Sequence, residues 1–159
     1  MELKEELEKV TASEEFSAYT QEVPDARFVH AFRMYGQGDN GWQFGFYSAE
    51  KDKIVVFTAE PITRLPDDDV FSKTQPEPLN IEEVKTAPDK AIAAAKELMK
   101  NKYPAETAKQ IILILQHLTE PVYNLTLVSH TLNFLNVRVS AATGEILTHE
   151  LRSIMSLKR

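Results

Sequence analysis

The sequence predicts an α+β protein of two lobes, each one helix packed on an antiparallel sheet of three to four strands. Three observations predict it. A helical hydrophobic period gives way to a period of two, and this order occurs twice along the 159 residues. A Pro-rich crossing, Gln75-Pro76-Glu77-Pro78, separates the two runs and coincides with a shift of charge: residues 1–80 hold 8 basic and 16 acidic side chains, residues 81–159 hold 10 and 8. Finally, Trp42-Gln43-Phe44-Gly45-Phe46 and Tyr123-Asn124-Leu125-Thr126-Leu127 match type for type at an offset of 81 residues, which reads as an ancestral duplication. The boundaries that follow are an N-terminal lobe over 1–75 and a C-terminal lobe over 76–159.

The first lobe opens on a helix, because Leu3, Leu7 and Val10 recur at helical spacing among acids. Thr11-Ala12-Ser13-Glu14 is patterned like a capping box and predicts a restart or kink before Phe16 and Tyr19 continue the apolar face to Pro24. From Arg27 the period is two, so Phe28, His30, Phe32 and Met34 are expected on one face of a strand. Gly36-Gln37-Gly38-Asp39-Asn40-Gly41 is a turn, and two further strands follow, Trp42 to Ser48 and Ile54 to Thr58.

In the second lobe, Thr86-Ala87-Pro88-Asp89 combines helix-start signals. Ala91, Ile92, Ala95, Leu98 and Met99 form the buried stripe of a helix that ends before Pro104. Ile111 to Leu118, Tyr123 to Val128, Leu135 to Ser140 and Ile146 to Leu151 read as strands, with a tight turn at Thr143-Gly144-Glu145 and a fraying tail from Met155.

Composition narrows the function classes. Hydrophobic residues make up 43% and charged residues 26%, the balance of a soluble globular protein. The net charge of −6 offers no basic footprint for nucleic acid. With no cysteine, disulfides, thiolate nucleophiles and Cys-based metal sites are excluded. The acidic start lacks the pattern of a signal peptide, and the longest apolar run, Ile111 to Leu115, is strand-sized, so no membrane insertion is expected. As it stands the chain reads as cytoplasmic, or as secreted or periplasmic if a leader has been removed.

Asp89-Lys90-Ala91-Ile92-Ala93-Ala94-Ala95 on the second helix, Pro121-Val122-Tyr123-Asn124-Leu125 on a central strand, and Val137 through Ala141-Ala142-Thr143-Gly144-Glu145-Ile146 at the end resemble the PepSY domain over residues 81–150. The first half matches only by pattern. The resemblance implies two PepSY-like, cystatin-like lobes. It also implies a role in binding or regulating a peptidase, as in propeptides of thermolysin-like metallopeptidases and in envelope or secreted bacterial proteins.

No motif carries recognisable chemistry. His30, among Phe28, Phe32 and Met34, is either a pocket histidine or a satisfied core one. His117, His130 and His149 have no metal-ligand spacing, and Asp67-Asp68-Asp69 lacks the alternation of a calcium loop. The glycine-rich turn lies between strands, where phosphate loops do not sit. Ser48, Ser129 and Ser140 lack a nucleophile elbow. No catalytic residue, metal or cofactor is assigned. The aromatics Tyr35, Trp42, Tyr47 and Phe57 either pack the two lobes together, the preferred use, or mark a binding or dimer surface. The leading expectation is a non-enzymatic protein-binding or regulatory module acting by surface complementarity or strand addition, with a peptidase or envelope protein as partner. The alternative is a small-ligand binder with an apolar pocket between sheet and helix, using His30, Trp42 and Tyr123. A two-fold homodimer is compatible with both.

Overall fold

The computed structural model describes residues 1–66 and 75–153, together with the backbone of 68–69. Two helices open the chain, α1 (Glu2–Thr11) and α2 (Glu14–Glu22). Leu3, Leu7 and Val10 make one buried stripe on α1. The helix then breaks, because the Ser13 hydroxyl accepts the Phe16 amide at 3.2 Å and starts a new one. The sequence puts the restart at this point; the capping residue is Ser13 rather than Thr11. Five strands follow: β1 (Arg27–Gly36), β2 (Gln43–Ser48), β3 (Lys53–Ala59), β4 (Ile62–Arg64) and β5 (Asp68–Asp69). A turn of 3-10 helix over Ile81–Glu83 leads to α3 (Pro88–Lys102), then β6 (Ala108–His117), β7 (Pro121–Ser129), β8 (Asn133–Ser140) and β9 (Ile146–Ser153). Pro88 stands in the first turn of α3, where its missing N–H is no loss. Gly144 holds the β8–β9 turn at φ +82°, a conformation that side chains disfavour.

The two-lobe expectation is corrected. All strands belong to one antiparallel sheet of order β4-β3-β2-β1-β6-β7-β8-β9, with β5 beside β4 on the same edge of β3. The junction is the pairing of β1 with β6, from His30 opposite Gln116 to Gly36 opposite Gln110. Each half therefore surrenders an edge that a separate lobe would leave open, and unpaired backbone N–H and C=O groups are satisfied at the seam. The core is continuous to match: Phe44, Phe57, Leu113, Leu115, Tyr123, Leu125 and Val137 are buried in one cluster that spans the seam. Among the described residues helices cover one face only, with α1 over β3, α2 over β4 and α3 over β7 and β8.

One irregularity re-aims side chains. Register between β1 and β2 shifts after Phe28, which stands opposite Phe46, whereas His30 stands opposite Gly45. Val29 is the extra residue of a β-bulge. Phe28 therefore packs on the helix-covered face, with ring centroids 6.3 Å from Phe44 and 5.7 Å from Phe46. His30 and Phe32 go to the opposite face. The expectation of one shared face for Phe28, His30, Phe32 and Met34 is corrected accordingly. Among the described residues no helix is long and apolar enough to cross a membrane. The expected acidic loop at 67–69 falls partly outside the described residues, and residues 154–159 of the tail fall wholly outside them.

Candidate functional site: a groove on the helix-free face

The bare face of the sheet is not uniformly polar. Ile54 and Val56 of β3 and Ile114 of β6 alternate with core residues, so β3 and β6 are apolar on both faces. An antiparallel strand with one solvated face ordinarily alternates apolar with polar residues, and these two do not. Between them lie Phe32 and His30 of β1 and the glycine of β2. The result is a groove of ≈ 550 Å³ with Phe32, Ile54, Val56 and Ile114 as apolar lining. Pro76 and Glu77, from the chain that returns toward α3, form one wall. The size falls in the range of small-molecule sites.

Gly45 makes room for the floor. A Cβ there would lie 2.0 Å from Cε1 and 2.4 Å from Nδ1 of His30, so the imidazole rests directly on the β2 backbone. Burial pushes the His30 pKa below its ordinary value, which favours the neutral ring. Neither His30 nor the flanking amides of Gln43 and Gln116 makes a side-chain hydrogen bond to another described residue. At the end of the groove, Nδ1 of His117 is 2.6 Å from Oε2 of Glu77, tying the returning chain to β6.

The remaining candidate residues do not converge on this groove. Trp42 and Phe57 are buried on the helix-covered face, Trp42 stacking on Phe44 at 6.4 Å and Phe57 meeting Phe16 at 5.6 Å. Tyr35 is half-buried, edge-on to Trp42 and beneath the Arg33 guanidinium at 4.9 Å; burial pushes its hydroxyl up to about 12. Tyr123 is fully buried and donates to the Thr86 carbonyl at 2.6 Å, and burial raises its pKa. Tyr47 is buried too, its hydroxyl donating to Asp52 at 2.7 Å, a bond that raises the tyrosine pKa. Of the two uses open to these aromatics, packing holds for Phe57, which sits in the helix-covered core; Tyr47 is buried as well, but it alternates with Phe46 and lies with Gly45 on the other face of β2. The space expected as a pocket between sheet and helix is occupied by Tyr123, Leu125, Ala91, Ala95 and Met99, all buried. Only His30, of the six, lines the concavity. The apolar runs Ile54-Val55-Val56-Phe57 and Ile111 to Leu115 carried the signal for the rest: a strand with no polar alternation presents apolar side chains on the helix-free face as well as on the core face.

The serines and histidines that carried no motif in the sequence are also apart in space. Ser48 donates to Asp25 at 2.8 Å and Ser140 to Glu120 at 2.7 Å, each at the last residue of a strand. His149, on β9, lies 3.1 Å from the Tyr103 hydroxyl. Among the described residues no three His, Asp or Glu side chains are grouped to hold a metal ion.

A second surface feature is the outer edge of β9. It ends the sheet, and no described strand pairs with it. Ile146 and Leu147 there are 37% and 43% exposed.

No family model matches the chain, and no curated protein matches it. Among solved structures, the fold is similar to that of a putative lipoprotein from Clostridium difficile 630, with a TM-score of 0.54 and 15% identity. The match covers 87% of this chain and 90% of that one, so the similarity embraces both halves of the sheet. It speaks to fold alone.

Proposed function

We propose that the protein is a non-enzymatic binding module that regulates a partner by accepting one of its extended segments as a further strand along β9. The observation that carries this reading is the open edge itself: an eight-residue strand with exposed Ile146 and Leu147 and no neighbour on its outer side among the described residues. An open edge offers a row of N–H and C=O groups to a peptide, and natural sheets usually blunt such edges when they serve no purpose. Glu150 and Arg152, ion-paired at 3.0 Å, add charges beside the apolar pair and favour a partner strand of mixed character. The PepSY resemblance of residues 81–150 makes a metallopeptidase of the thermolysin class the first partner to test.

The test follows hydrogen exchange of the β9 amides while a thermolysin-type peptidase cleaves casein in the same solution. Protected β9 amides and slowed cleavage are expected, and Leu147→Glu should remove both effects. Unchanged exchange at β9 beside normal cleavage refutes the peptidase as partner. Cleavage slowed equally by the wild type and by Leu147→Glu refutes the edge as the surface.

A further inference from the structure

We propose that the groove over His30 is a binding site for an uncharged amphipathic small molecule, one with an apolar body and a hydroxyl or amide group. This inference does not rest on strand addition at β9, which lies on a different part of the sheet.

The groove is concave and one side of it is walled by Pro76 and Glu77, which suits a compact molecule better than a flat protein surface. Phe32, Ile54, Val56 and Ile114 would take the apolar body out of water. The imidazole of His30 and the amides of Gln43 and Gln116 supply both donors and acceptors, and none is used by another described side chain or backbone group. A hydroxyl or amide can answer all three. Charge is excluded by the same residues. Among the described residues no Lys or Arg lines the groove, and the one acid there, Glu77, is already engaged by His117. An anion would meet Glu77 without a compensating cation, and a cation would have to break the His117 contact. Burial of a charge without a partner is costly. Burial lowers the His30 pKa and so favours its uncharged form, in keeping with this preference.

The floor is also built at a cost to the strand. Glycine in the middle of β2, between Phe44 and Phe46, forgoes the β-branched residue that a strand favours. What it obtains is the seat of the imidazole, which a Cβ would occupy.

The experiment titrates the full chain with N-phenyl-naphthylamine, an uncharged fluorophore, and displaces it with decanol or with decanoate. Saturable fluorescence is expected, with decanoate about tenfold weaker than decanol because its charge is unmatched in the groove. Val56→Glu and the milder Gln43→Glu should each weaken the probe by about tenfold or more, with folding checked by circular dichroism. Lys96→Ala, on the exposed side of α3, should bind as the wild type does. Absence of saturable binding overturns the site. Equal displacement by decanoate overturns the uncharged class. Wild-type affinity in folded Gln43→Glu and Val56→Glu overturns the location.

Discussion

Replacing Gly45 with alanine tests the central contact of the groove. The new methyl would stand 2.0 to 2.6 Å from three atoms of the His30 ring, where carbon contacts settle near ~3.5 Å. The strand cannot step aside, because Gly45 is held opposite His30 on β1 and Val56 on β3. The ring must leave its seat and swing into the groove. Overpacking of this kind costs about 1–3 kcal/mol. Alanine offsets about 0.5–1 kcal/mol of it by restricting the unfolded chain more than glycine does. The expected net loss is therefore about 1 kcal/mol, measured as a lower urea midpoint at constant slope. In a His30→Ala background the clash is gone, and the same Gly45→Ala change should become neutral or stabilising by about 0.5 kcal/mol. The two sites should thus couple by about 1–3 kcal/mol in a double-mutant cycle. The displaced ring should also titrate closer to the ordinary 6.5 than in the wild type, read by NMR. A coupling below about 0.5 kcal/mol, with His30 titrating as before, would refute the account of the floor.

Two further predictions concern the helix-covered side. Glu6 is buried at 8% exposure with Oε2 unpartnered, and burial, then Glu2 and Glu60, raise its pKa against a smaller opposing pull from Arg33. The folded protein therefore holds this proton more tightly than the unfolded chain, so the associated stability is full in acid and declines as pH rises past 4.5 to the raised folded value. Glu6→Gln should remove that decline and stabilise the protein at neutral pH by about 1 kcal/mol, read from urea midpoints across pH. An unchanged pH profile would count against it. Tyr123→Phe deletes the 2.6 Å bond to the Thr86 carbonyl and leaves that acceptor without its buried partner, for an expected loss of about 1–3 kcal/mol in chemical denaturation. A loss below about 0.3 kcal/mol would mean that water replaces the hydroxyl.

Particular residues show how far the site could be read in advance. His30 stood out because a titratable ring among Phe32 and Met34 is unusual on an apolar face. Its companions did not. Gln43 and Gln116 look like ordinary polar positions, and they meet His30 only because β1 pairs with β2 on one side and β6 on the other. Trp42, Phe57 and Tyr123 attracted attention by size, yet that size fills the core: Phe57 and Tyr123 lie on interior strands, Trp42 just before one, and all three are buried on the helix-covered face. Gly45 was legible as the odd small residue between Phe44 and Phe46, but its purpose is steric and belongs to another strand.

The sequence alone determined the elements and their buried stripes: Leu3, Leu7 and Val10 on α1, Phe44 and Phe46 on β2, and Tyr123, Leu125 and Leu127 on β7. Hydrophobic period is a local property, and burial follows it wherever a core forms. Tertiary structure alone decided three things: that β1 and β6 join both halves into one sheet, that the bulge at Val29 turns His30 away from Phe28, and that the concavity lies on the helix-free face. The physical reason is common to all three. Backbone edges carry the same N–H and C=O groups whatever the side chains, so which edges meet, and in what register, is settled by the packing of the whole molecule.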